Sequence, residues 1–183
     1  MNYIEIISKN YPTIGCSVVG DPGVYENIIW DDISSTITKD VLDNLYLSTV
    51  RADVWELIKA YRDKRKFGGI YVSNKWFHND PDSRTQWLGI KDKARDVINN
   101  GGSMSSVLTI NHPQYGTVPI QWNTMDGTLI PVTAQLAFDV VEKTGDLDGI
   151  LYGLGQYHKA QLYVSNDPEN YNFKTLWPPI FGE

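Results

Sequence analysis

Cysteine is almost absent from this chain: Cys16 is the single one among 183 residues. An internal disulfide is therefore impossible, and a zinc site built from several thiolates is excluded. A lone thiol suits a reducing compartment, so folding in a cytoplasm is the expectation. Positive charge is also scarce, with 16 Lys and Arg against 22 Asp and Glu, a net charge of −6 and a pI near 5.0. Such a chain lacks the electrostatic footprint of a general nucleic-acid binder and gains nothing from an anionic membrane surface. No apolar run approaches the ~20 residues of a membrane span. Met1-Asn2-Tyr3-Ile4-Glu5 has neither the basic region nor the apolar core of a secretory signal. Missing too are the nucleophile elbow Gly-x-Ser-x-Gly, a Walker loop and a Gly-x-Gly-x-x-Gly turn after a strand. Asp31-Asp32 is a carboxylate pair, but a glycosidase pairing depends on a spatial separation that sequence does not carry. The expectation is a protein with no catalytic residue, metal or cofactor.

What the chain does have is an ordinary globular balance, 42% apolar and 21% charged, enough for one domain with a core and a small appendage. Three zones emerge. Residues 1–48 read as a small β-rich region: Ile4 to Ile7, Ser17 to Val19 and Tyr25 to Trp30 are β-prone, and Asp21-Pro22-Gly23 marks a turn. Thr38 is placed to cap a short helix carrying Val41, Leu42 and Leu45.

Residues 49–165 read as helix, hairpin, helix, hairpin and long helix. Val50, Val54, Leu57, Ile58 and Tyr61 recur at helical spacing, and Gly68-Gly69 ends that helix. Ile70 to Phe77 is a hairpin turning at Ser73-Asn74. Asp80 is an N-cap with Pro81 in the first helical position. Val118 to Met125 and Thr128 to Val132 flank Asp126-Gly127, the strongest short hairpin signal in the chain. Thr133 then opens a long helix with Leu136, Val140, Leu147, Leu151 and Leu154 on one side. Residues 166–183, rich in proline and aromatics, read as an extended tail. The fold class is α+β.

Candidate chemistry is thin. His78, Asp80 and Asp82 lie close together, but capping and the helix dipole account for the two acids. His112 precedes a proline, and His158 falls on the apolar side of the long helix as a buried, hydrogen-bonded histidine. Neither has a partner at ligand spacing. The basic run Arg62, Lys64, Arg65 and Lys66 sits where cations complement a helix C-terminus. Six Trp and eleven Tyr suit protein interfaces or sugar-binding surfaces. Trp30, Trp76 and Trp122 fall in predicted strands and read first as sheet-face packing. Trp177 has no element of its own to bury it. Gly145, Gly149 and Gly153 recur every four residues, opposite the leucine side. Each costs ~1 kcal/mol of helix propensity. Either the helix breaks at Gly145-Asp146 or these glycines admit a close backbone neighbour.

The order of motifs resembles a recurrent phage domain of unknown function found in tail-fibre assembly proteins and tail-fibre chaperones. The resemblance rests on Tyr61-Arg62-Asp63-Lys64-Arg65, Gly68-Gly69-Ile70, Trp76-Phe77, Asp80 and Ser83-Arg84. It continues in Ile120-Gln121-Trp122-Asn123-Thr124-Met125-Asp126-Gly127, Val132-Thr133-Ala134 and Lys159-Ala160. The motifs are short, and their order is what they share with the family. Trp177-Pro178-Pro179 is similar to the Trp-Pro-rich end of such proteins, and Asn27-Ile28-Ile29-Trp30 to their lead-in. A long 103–118 insertion and the glycine-rich 145–155 stretch depart from the pattern.

The resemblance implies a phage tail protein that docks onto a tail fibre or another tail protein, or onto a second copy of itself. It would be made in the host cytoplasm, and remaining in the virion as a tail or baseplate subunit is the alternative. A carbohydrate-binding or carbohydrate-cleaving receptor protein is the reading from another class. The residues expected at the partner interface are Gly145, Gly149, Gly153, Tyr171, Phe173, Trp177, Pro178 and Pro179.

Overall fold

The computed structural model describes residues 1–183. It has four helices and four two-stranded antiparallel sheets, the expected α+β class. The chain forms two compact units, each built from two separate segments: Met1–Leu57 with Ala160–Tyr171, and Ile58–Lys159 with Asn172–Glu183. The zones 1–48, 49–165 and 166–183 divide the chain differently.

In the first unit, Ile4 to Ile7 is helical and not a strand. Helix α1 spans Tyr3–Asn10, and the Asn2 side chain accepts from the amides of Ile4 and Glu5. Tyr3, Ile6 and Ile7, spaced by three and four, are its buried side. That shared burial, plus the cap, outweighs the β preference of an isoleucine-rich run. Strand β1, Cys16–Val18, pairs with β2, Ile28–Trp30. The turn at Asp21 forms as expected, with the Val24 amide donating to the Asp21 carbonyl at 3.1 Å. Helix α2 is one 28-residue element, Lys39–Lys66, where the sequence suggested two. Its first part belongs to this unit. Leu42 is fully buried there, in a core with Tyr3, Ile7, Ile28 and Ile37.

The second unit starts within α2 at Ile58. Strands β3, Ile70–Val72, and β4, Lys75–Phe77, form the expected hairpin, with Ser73 and Asn74 both at positive φ. That matches a two-residue turn whose twist suits the strands. Helix α3, Pro81–Asn99, is capped by Asp80, which accepts from the Ser83 amide at 3.0 Å and from the Ser83 hydroxyl at 2.6 Å. Beyond it the chain makes two hairpins, not one. Strands β5, Thr109–His112, and β6, Gly116–Pro119, pair inside the stretch that looked like an insertion. Strands β7, Gln121–Asn123, and β8, Leu129–Pro131, flank Asp126-Gly127, a shorter hairpin than expected.

Helix α4 runs unbroken over Ala134–Val164, through Gly145, Gly149 and Gly153. Burial of Leu136, Val140, Leu151 and His158 along one side holds it together despite the glycines. The core of this unit gathers Ile70, Val72, Phe77, Trp87, Ala94, Leu108, Val132, Ala137 and Val140. Trp122 packs against it part-buried, its ring 4.4 Å from that of Trp87.

Candidate docking groove

The tail 172–183 lies against its own unit. Trp177 is 9% exposed, its ring stacked on His158 at 5.2 Å and 21°, with Tyr61 edge-on at 6.0 Å. Its indole N–H donates to the Phe173 carbonyl at 2.7 Å. His158 is itself buried, and its Nε2 bonds the Thr175 carbonyl at 3.1 Å. A carbonyl only accepts, so Nε2 carries the proton. Burial pushes the His158 pKa below its ordinary value, partly offset by the Thr175 bond.

Arg65 secures the tail from the other side. It is 8% exposed, donates to the Pro178 carbonyl at 3.1 Å and to the Tyr61 hydroxyl, and pairs with Glu183. The basic run is therefore not a uniform patch, since Arg65 is turned inward. Gly68 is where the last residues settle: a side chain there would collide with Ile180, and the Phe181 amide donates to the Gly68 carbonyl at 2.9 Å.

This seat leaves a groove. Pro178 and Pro179 form one wall, Trp76, Tyr71 and Ile70 a second, and Leu147 and Ile150 of α4 a third, enclosing about 220 Å³. The lining is mostly apolar. Tyr71 and Ile150 are 54% and 52% exposed, and the Tyr71 and Trp76 rings lie 5.4 Å apart. At the rim Lys143 and Asp146 form an ion pair at 3.0 Å, which raises the Lys143 pKa.

The α4 wall is fixed by a polar network at its back. Arg84 grips Asp148 with two bonds of 2.9 and 2.8 Å and holds that carboxyl below its usual range. Buried Asn79 donates to the Lys66 carbonyl at 2.6 Å and accepts from the Thr144 hydroxyl at 3.1 Å.

Of the expected interface residues, Pro178 and Pro179 line the groove. Trp177 is buried within its own unit, its ring on His158 and its N–H on the Phe173 carbonyl. Phe173 is part-buried, edge-on to Tyr61 at 5.9 Å. Tyr171 belongs to the first unit and takes no part in the groove. Gly145, Gly149 and Gly153 are exposed, and nothing lies within 4 Å of where a side chain would begin, so no backbone of this chain approaches them closely. Tyr71, Trp76 and Ile150 were not singled out for an interface. Trp76 read as sheet packing because the alternation of a three-residue strand cannot tell a core face from a groove wall.

Residues 49–175 match the family described as a domain of unknown function, DUF4376. The chain belongs to that family. No curated protein and no solved structure matches it. The DUF4376 region spans the residues that seat the tail, Tyr61, Arg65, Gly68 and His158, and the two strands that wall the groove. No helix is long and apolar enough to cross a membrane.

Proposed function

We propose that the chain is a non-catalytic phage tail protein that docks onto a tail fibre or a neighbouring tail protein, as a tail-fibre assembly factor would. The observation that carries this reading is the open apolar groove between Trp76, Tyr71, Ile150 and Pro178-Pro179. Aromatic and proline side chains held on rigid elements form an anchor pocket for one or two apolar groups of a partner. The resemblance of the motifs that build the tail seat supplies the phage context. In this reading the protein is made in the host cytoplasm and binds neither nucleic acid nor membrane.

A permanent place in the tail or baseplate is the second reading, supported by the exposed glycine face of α4, which suits a close and lasting neighbour. The adjacent Tyr71 and Trp76 rings favour a third, sugar stacking. Mass spectrometry of purified virions separates the first two: an assembly factor is missing and a subunit present. Trp76→Ala with Ile150→Asp should abolish co-purification with the fibre or tail partner while the fold survives. Unchanged co-purification refutes the groove. Binding of host glycans lost in the same variant would favour the third reading.

A further inference from the structure

A second groove, of about 520 Å³, lies between the C-terminal half of α3 and the outer edge of β5. Lys93, Asp96, Val97 and Asn100 line it from the helix, Thr109 and Asn111 from the strand. Strand β5 pairs only with β6, so its outer edge has no neighbouring strand in this chain.

The phase of the hairpin sets what that edge offers. The Ile120 amide donates to the Leu108 carbonyl at 2.8 Å. Continuing that alternation, Ile110 with Val118 and His112 with Gly116 occupy the hydrogen-bonded positions of the ladder. Thr109 and Asn111 fall in the other positions and direct N–H and C=O away from β6. Pro119, opposite Thr109, fits the same phase, since it has no N–H to give to the ladder. The two β5 residues that line the groove are thus the two whose main-chain groups face outward. An exposed edge beside a helix is the setting in which an extended peptide adds as a further strand.

Charge narrows the occupant. From Val97 through Met125 there is no Asp, Glu, Lys or Arg, in a chain that is 21% charged. The helix wall instead carries Lys93 and Asp96, and neither is in an ion pair within the chain. Three residues apart on a helix, they are ~5–6 Å from each other, close to the ~6.7 Å between alternate residues of a strand. A strand with an acid facing Lys93 and a base facing Asp96, two residues apart, satisfies both.

We propose that the groove between α3 and β5 is a strand-addition site for an extended segment of a partner protein that carries one acidic and one basic side chain two residues apart. The site is separate from the aromatic groove and stands without it.

The test uses the full chain against a random octapeptide library. Its best binders are then resynthesised with a fluorophore and measured by anisotropy. Enrichment of peptides with an acid and a base two apart is expected. Asn111→Pro removes an outward N–H and leaves the main-chain ladder with β6 intact, losing only the exposed bond that Asn111 Oδ1 accepts from the Thr117 hydroxyl, so affinity should fall about tenfold with little change in melting temperature. In Lys93→Glu with Asp96→Lys, the preferred order of acid and base should invert. If Asn111→Pro unfolds the hairpin, N-methylation of alternate peptide residues asks the same question from the ligand, and loss of binding is expected. No enrichment, or binding indifferent to these changes, overturns the proposal. So does concentration-dependent protection of the Thr109 and Asn111 amides without peptide, which would make a second copy the occupant. Asn111→Pro should leave capture through Trp76 intact, so the two docking readings fail separately.

Discussion

Replacing Trp177 by alanine tests whether the tail is a structural part of its unit. The indole is 9% exposed, stacks on His158, meets Tyr61 edge-on and donates its N–H to the Phe173 carbonyl. Large aromatic truncations in a core cost about 3–5 kcal/mol, and the two ring contacts fall within that figure. The tail can relax around the gap more freely than a central strand, so the lower end, about 3 kcal/mol, is expected. At about 2–4 °C per kcal/mol for a chain of this size, the melting temperature should fall by about 6–12 °C. Far-UV circular dichroism is the assay, because the substitution itself alters tryptophan fluorescence. Trp177→Phe, which keeps a ring over His158, should recover part of the loss. A drop below about 2 °C would mean that the tail rests on the surface without stabilising it. The interface role first assigned to Trp177 would then return.

Three further outcomes follow from the same geometry. The folded-state pKa of His158 lies below its ordinary value because of burial. Its contribution is therefore complete above about pH 6.5 and is lost as pH falls from there towards the folded value; His158→Gln should flatten the decline in melting temperature between pH 6.5 and 5, and an unchanged slope refutes the assignment. Replacing Gly145, Gly149 and Gly153 together by alanine should raise helix stability by about 2–3 kcal/mol, since nothing in the chain meets the added methyls; a lower melting temperature in the isolated protein would show a neighbour that the monomer lacks. Gly69→Ala meets Met125 Sδ at 2.5 Å and a φ of +99°, so it should destabilise by at least about 1–2 kcal/mol in denaturant titration; neutrality would refute the close packing there.

Local chemistry was legible where it decides structure within a few residues. Ser73-Asn74 and Asp126-Gly127 turned where their backbone preferences demand, and Asp80-Pro81 opened α3. His158 could be placed because its neighbours on α4 share its buried side. The misreadings have physical causes. Ile4 to Ile7 looks β-prone, and only the Asn2 cap with burial of Tyr3, Ile6 and Ile7 decides for helix. The stretch around Leu47 to Thr49 contains no breaker, so α2 passes straight through. Strands β5 and β6 left no alternating apolar pattern because almost every residue in them is exposed. The groove was invisible for a different reason. Tyr71, Ile150 and Pro178 meet only after α4 and the tail have folded back, and no local spacing records that meeting.

The division of each unit into two stretches of chain has a consequence for synthesis. Residues 1–57 await 160–171, and residues 58–159 await 172–183. Neither unit can complete itself while the ribosome is still reading the middle of the message. At ~5–20 residues per second, the interval between making Leu57 and making Ala160 is roughly 5–20 s. Throughout it Tyr46 and Arg51 are made, while Glu169 and Tyr163, the groups they meet, are not. Both units then become completable within the last two dozen residues, almost together. A nonsense codon between Lys159 and Trp177 would therefore leave a chain with a waiting seat for the tail and nothing to fill it, and quality control would meet an open seat, not a merely shortened protein.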